Sequence, residues 1–193
     1  HVLGMNSNGQ IYFTMKWIKG ETLRSILSKL ELKKTDYLKK YTLQVKIEIV
    51  KKVCDALAYA HSNKIIHRDL KPENIMVGEF GEVQLMDWGL AKELGIKEKF
   101  AEAFQVSETD SQVTDVTKTI VGTCIGTPEY MSPEQADGDI DFMDERTDIY
   151  GMGGVLHSCI SLTTPVSGST YDKILSKVIK GKVNPLPLDT PSE

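Results

Sequence analysis

Asp69, Lys71 and Asn74 stand within six positions of one another in the run Ile65-Ile66-His67-Arg68-Asp69-Leu70-Lys71-Pro72-Glu73-Asn74. Pro72 cannot continue a helix and pushes Lys71 toward extended or turn geometry, so the run is a loop. A carboxylate, a fixed cation and a neutral amide oxygen held together on a loop suit phosphoryl transfer. The first accepts a hydroxyl proton, the second neutralises a moving phosphate, and the third helps hold Mg2+. Asp87, after the apolar run Val83-Gln84-Leu85-Met86, supplies another hard oxygen donor of the kind Mg2+ requires. Neither Asn74 nor Asp87 would hold the ion alone, because Mg2+ normally also takes nucleotide phosphates and waters.

These groups need elements to position them. Val2–Met5 and Gln10–Met15 read as extended, with Asn8-Gly9 between them tolerating positive φ at both turn positions, which predicts a hairpin. Thr22 can cap a short helix through about Leu30, with Leu23, Ile26, Leu27 and Leu30 on one face. The charged stretch Glu31–Lys40 reads as a solvated loop. A long helix is predicted over Leu43–Ser62, with Val45, Ile49, Val50, Val53, Leu57 and Ala60 on one buried stripe. His61 at its end reads as a capping or packing residue, since no metal-ligand partner lies at suitable spacing. Ile75–Val77 and Val83–Met86 form a second hairpin around Gly78–Gly81. The chemistry-bearing loop thus lies between a buried helix and a hairpin. Residues 94–120 are polar and read as a mobile or regulatory segment, with order returning near Thr123. Asp148–Leu162 predicts a buried helix despite its glycines, and Tyr171–Ile179 an amphipathic one.

The run around Asp69 resembles the catalytic loop of protein kinases. Asp87-Trp88-Gly89 stands where that family usually carries Asp-Phe-Gly, and Gly126-Thr127-Pro128-Glu129-Tyr130-Met131-Ser132-Pro133-Glu134 resembles the segment closing its activation loop. Lys71, two residues after Asp69, is similar to serine/threonine rather than tyrosine kinases. Tyr12–Lys16 together with Ser132–Gln135 looks most like bacterial kinases of the eukaryotic type. The resemblance implies an α+β, protein-kinase-like fold: residues 1–15 ending the small lobe, 16–20 the hinge, and 21–193 an incomplete large lobe. It implies ATP and Mg2+ as cofactors, with Asp69 as base, Lys71 beside the transferred phosphate, and Asn74 and Asp87 on the metal. Met15, Lys16 and Ile18 would face adenine from one side, through the Lys16 C=O and Ile18 N–H, and Met76 from the other. His67 and Trp88 would share an apolar stack, and Asp148 would anchor the loop backbone by accepting N–H bonds. Glu134 would pair with an Arg in a later helix that this chain does not include. Thr127 would contact Asp69 and Lys71. Arg68 would pair with a phosphate on Thr123, with Thr117 and Thr119 as the next candidates.

The same resemblance leaves gaps. No GxGxxG occurs in the sequence, and no strand Lys of the V-A-I-K kind precedes the first hairpin. The chain begins without Met and ends soon after a helix, so both ends read as cut, and the chain alone is expected to turn over poorly. Partners would be proteins with Ser or Thr hydroxyls, and another copy for autophosphorylation. The first rival reading is a pseudokinase-type binding or scaffolding module, against which the presence of Asp69, Lys71, Asn74 and Asp87 argues. A small-molecule phosphotransferase of related fold is disfavoured by the Gly-Thr-Pro-Glu segment.

Bulk numbers set the frame. One domain is expected from 193 residues with 40% apolar and 26% charged content. A net charge of -4 gives no drive toward nucleic acid or an anionic membrane. Cys54, Cys124 and Cys159 include no CxxC pair; Cys54 and Cys159 read as reduced core residues, which fits a cytoplasmic kinase domain. No apolar run approaches the roughly 20 residues that span a bilayer; a membrane anchor elsewhere in a parent protein stays open.

Overall fold

A computed structural model of the chain describes residues 2–5, 10–14, 18–95 and 127–187. Strands β1 (Val2–Met5) and β2 (Ile11–Thr14) pair antiparallel with Val2 opposite Thr14, the hairpin expected from Asn8-Gly9, although that turn lies outside the described residues. The short β3 (Glu21–Thr22), β5 (Ile75–Val77) and β6 (Val83–Leu85) form an antiparallel sheet in the order β3-β5-β6. Between them in sequence, β4 (Ile65–Ile66) pairs antiparallel with the later β7 (Lys92–Glu93).

Six helices complete the described chain. Helix α1 (Leu23–Glu31) starts at Thr22, whose side chain accepts from the Ser25 N–H, and it buries Leu23, Ile26, Leu27 and Leu30 as the spacing predicts. Helix α3 (Leu43–Ser62) has the expected bounds, capped by Thr42. After the second hairpin come α4 (Pro133–Ala136), α5 (Glu145–Ser161, capped by Asp144) and α6 (Tyr171–Ile179, capped by Thr170). The remaining one, α2 (Thr35–Lys40), corrects the expectation of a loop over Glu31–Lys40. Its residues do face solvent, but Tyr37 pins it down. The Tyr37 hydroxyl donates to Glu21 Oε2 at 2.7 Å, Lys29 donates to both Glu21 and Tyr37, and the Tyr37 ring stacks on Tyr41.

The main core lies where α1, α3 and α5 meet. Ile49, Val50, Val53 and Leu57 from α3 join Met152, Val155 and Cys159 from α5, with Leu70, Ile75 and Val77 from the loop and sheet. The two glycines nearest this packing are spacers. A Cβ on Gly151 would stand 3.0 Å from Leu70 Cβ, and one on Gly154 would stand 3.2 Å from both Tyr130 and Pro165. Their absent side chains let α5 run close under the loop and under the segment after Thr127. A satellite core of Met131, Ala136, Val166, Ile174 and Val178 seats α6 against α4.

Two expected core positions fall elsewhere. Val45 is 37% exposed, and Lys46 takes the buried place at the start of the α3 stripe. The 3.6-residue period running back from Ile49 and Val50 reaches 46, and the lysine stem fills that site while its ammonium donates to the Cys159 carbonyl near the end of α5. Cys159 is fully buried as expected, whereas Cys54 is exposed. Cys54 follows Val53 by one residue and so points about 100° away from the stripe.

Candidate active site

The loop is built on a buried carboxylate. Asp148 in α5 is 1% exposed, and its Oδ2 accepts from the His67 backbone N–H at 2.8 Å while Oδ1 accepts from the Arg68 N–H at 2.9 Å. His61 Nε2, from the last turn of α3, lies 2.8 Å from the same Oδ2. These bonds satisfy a carboxylate that would be costly unpaired inside the core. They also hold the chain at Arg68 in the left-handed region, φ 67°, so that it turns sharply just before Asp69.

Past that turn, Asp69, Lys71 and Asn74 come together as the spacing predicts. Asp69 is 7% exposed; Lys71 Nζ lies 2.8 Å from its Oδ2, and Asn74 Nδ2 donates to the same oxygen at 2.9 Å and to the Asp69 carbonyl at 2.8 Å. Lys71 Nζ also donates to Thr127 Oγ1 at 2.9 Å, bringing a residue 56 positions away to the cluster. The 3-10 turn Pro72–Asn74 presents Asn74, and Met86 N–H donates to the Asn74 carbonyl at 2.8 Å. One carboxylate oxygen thus receives both an ammonium and an amide, a charge-assisted arrangement that fixes the Asp69 side chain.

Asp87 also adopts a left-handed conformation, φ 60° and ψ 67°, at the head of the 3-10 turn Trp88–Leu90. Among the described residues no group of three or more His, Cys, Asp or Glu could hold a metal by itself. The donor set does fit Mg2+ in kind. Because Asn74 spends its Nδ2 on Asp69, its Oδ1 is left as a hard oxygen donor, and Asp87 supplies another of the kind Mg2+ would take together with phosphates and waters.

His67 is wholly buried and edge-on to the Trp88 ring, centroids 4.6 Å apart at 65°. Its Nε2 donates to the Met86 carbonyl at 2.9 Å and its Nδ1 accepts from the Asp69 N–H at 3.2 Å, a pattern only the neutral ring can make. Burial pushes its pKa below the ordinary value, against the pull of the Met86 carbonyl and the nearby carboxylates. Trp88, 38% exposed, places its indole N–H on the Leu85 carbonyl at 3.2 Å, so the larger ring is accommodated.

The far wall is the segment after Thr127. Ser132 and Gln135 form a capping box at the start of α4: Ser132 Oγ accepts from the Gln135 N–H, and Gln135 Oε1 accepts from the Ser132 N–H. Gln135 Nε2 donates to the Arg68 carbonyl at 2.6 Å, and Arg68 Nε donates to the Leu90 carbonyl at 2.5 Å. Glu134 accepts from Thr147 Oγ1 at 2.7 Å. Sequence reasoning missed the roles of His61, Gln135 and Thr147. Ser-x-x-Gln could have flagged the capping box, but nothing local signals the bond from Gln135 to Arg68. Of the residues expected to face adenine, Ile18 is half-buried outside any element and Met76 sits in β5 opposite Gln84 and Thr22. Met15, Lys16, Thr117, Thr119, Thr123 and Cys124 lie outside the described residues.

A sequence model of the family described as protein kinase domain matches residues 4–191. The chain is 38% identical over 169 residues, 84% of its length, to a serine/threonine-protein kinase PknD of Protochlamydia amoebophila. It is 35% identical over 167 residues to the protein of that name in Chlamydia caviae, and 34% identical over 180 residues to that of Chlamydia pneumoniae. The matched part spans only 16% of the first of these relatives and 18% of the other two.

Proposed function

Since the chain belongs to the protein kinase domain family, we propose that it carries the phosphotransfer site of a serine/threonine protein kinase, moving the γ-phosphate of ATP to Ser or Thr hydroxyls of proteins. The observation that carries this reading is the Asp69–Lys71–Asn74–Thr127 cluster. It pairs a proton acceptor with a cation that touches both the acceptor and the distal segment.

In this reading Asp69 orients the substrate hydroxyl and takes its proton. Lys71, tethered between Asp69 and Thr127, sets a point charge against the transferred phosphate. Thr127 shapes the space for an alkyl hydroxyl. Asn74 Oδ1 and Asp87 would hold Mg2+, which would supply charge neutralisation on the phosphates. Met15, Lys16 and Ile18 line the adenine from the hinge, and Met76 from the large lobe. Residues 1–15 close the small lobe, 16–20 form the hinge and 21–193 belong to the large lobe. Thr123 is phosphorylated by another copy of the protein, and its phosphate pairs with Arg68. No helix among the described residues is long and apolar enough to cross a membrane; the reduced thiols and the ATP requirement support a cytoplasmic setting for this domain. With no GxGxxG in its sequence, the 193-residue chain by itself turns over far below the roughly 1–100 per second of ordinary kinases.

The test separates the two carboxylates in the catalytically competent protein. Asp69→Asn is expected to lower kcat by orders of magnitude and leave nucleotide affinity nearly intact, whereas Asp87→Ala weakens Mg-ATP binding. Equal loss of nucleotide affinity in both variants, with no separate effect on rate, would overturn this division of roles. Full ATP binding with no transfer in the unsubstituted protein would favour the pseudokinase instead.

A further inference from the structure

Gln135 lies outside the Asp69 cluster, yet its side chain is spent on the residue before Asp69. It is 6% exposed, and its amide is clamped between two backbone groups of opposite kind. The Ser132 N–H, at 3.1 Å, requires an acceptor, and the Arg68 carbonyl, at 2.6 Å, requires a donor. Only one orientation of the amide serves both, and only an amide serves both at this length. Arg68 is then held on three sides: its N–H by Asp148 in α5, its C=O by Gln135 in α4, and its Nε by the Leu90 carbonyl after Asp87. A non-glycine residue in the left-handed region persists when its surroundings over-determine it, and these are the bonds that do so.

We infer that Gln135 is a positioning residue: it couples the placement of the 127–136 segment to the backbone turn that aims Asp69. This rests on the kinase reading above. The segment that carries Thr127 to Lys71 is the same segment that, eight residues on, carries Gln135 to Arg68. When the segment is seated, both contacts form together; when it is displaced, Arg68 loses its carbonyl partner and Asp69 loses its fixed approach.

Two crossed variants separate this role from that of a helix cap. Gln135→Glu keeps the acceptor for the Ser132 N–H but cannot donate to Arg68. Gln135→Lys keeps a donor for Arg68 but gives up the acceptor. In the catalytically competent protein, Gln135→Glu is expected to lower kcat about tenfold, the equivalent of ~1.4 kcal/mol in the barrier, with KM for ATP and peptide within about twofold. Gln135→Lys should retain more of kcat than Gln135→Glu, even if it melts at a lower temperature. Amide hydrogen exchange without nucleotide gives a readout independent of turnover: the Arg68 and Asp69 amides should exchange faster in Gln135→Glu and stay protected in the unsubstituted protein. Unchanged exchange and unchanged kcat in Gln135→Glu would overturn the inference, as would a greater loss of kcat in Gln135→Lys. If the unsubstituted protein transferred no phosphate, the kinase reading would fail while the exchange comparison still decided the role of Gln135. Should Gln135→Lys fail to fold, the exchange and kcat of Gln135→Glu decide alone.

Discussion

Replacing Asp148 with Asn removes a charge and little else in shape, and the structure says where the cost falls. Three donors converge on the carboxylate: the His67 N–H and His61 Nε2 on Oδ2, and the Arg68 N–H on Oδ1. An amide has one acceptor oxygen, which would stay with the pair on Oδ2. Its NH2 would then face the Arg68 N–H, donor against donor. One orphaned buried N–H costs about 1–3 kcal/mol, and the two remaining bonds weaken by about 1 kcal/mol each on losing the charged acceptor. The easier burial of a neutral amide offsets part of this, leaving a net loss of about 2–4 kcal/mol. With a urea slope of about 2 kcal/mol per M, the unfolding midpoint of the chain should drop by about 1–2 M without a change in slope. Far-UV circular dichroism across a urea series measures it. A shift below about 0.3 M would refute the claim that Asp148 is the anchor of the loop.

Other outcomes follow from individual contacts. His67 has its pKa lowered by burial, so below its unfolded value of 6.5 the unfolded chain takes up a proton that the folded chain resists. Stability should therefore be fully present above that pH and decline as pH falls toward the folded pKa, by up to about 1.4 kcal/mol per pH unit; urea midpoints for His67→Phe should show a flatter decline over the same window. In a Cys124→Ser background, a thiol reagent should modify Cys54 in the native protein and reach Cys159, whose thiol burial pushes up to about 11, only on unfolding. Thr127→Val should lower the rate of phosphotransfer and Thr127→Ser largely preserve it, because only the serine can accept from Lys71; equal rates in the two variants would count against that contact.

The parts legible in the sequence were those whose cause is local. Thr22 caps the helix that follows it, and the bounds of Leu43–Ser62 and Tyr171–Ile179 were fixed by apolar spacing. Asp69, Lys71 and Asn74 are neighbours in sequence, so a loop that turns once must bring them together. The remainder depends on contacts across long separations. Tyr37 turns a charged stretch into helix α2 by reaching Glu21, and Lys46 displaces Val45 from the core by reaching Cys159. The two-residue strands β3, β4 and β7 have too few residues to show a period. Gln135 reads locally as half of a capping box, and only the folded chain brings its other prong to Arg68.

The anchoring of the loop by Asp148 sets a timetable for a chain made from its N-terminus. The N–H groups of His67 and Arg68 emerge from synthesis 81 and 80 residues ahead of their acceptor. At about 5–20 residues per second, that is a wait of roughly 4–16 s. During it α3 can form, but the two bonds from Asp148 that hold His67 and Arg68 at the left-handed turn cannot. A nascent chain arrested before residue 148 should therefore carry all of Asp69, Lys71 and Asn74 with the loop still unset. The order of translation thereby keeps the site from assembling until its supporting helix exists.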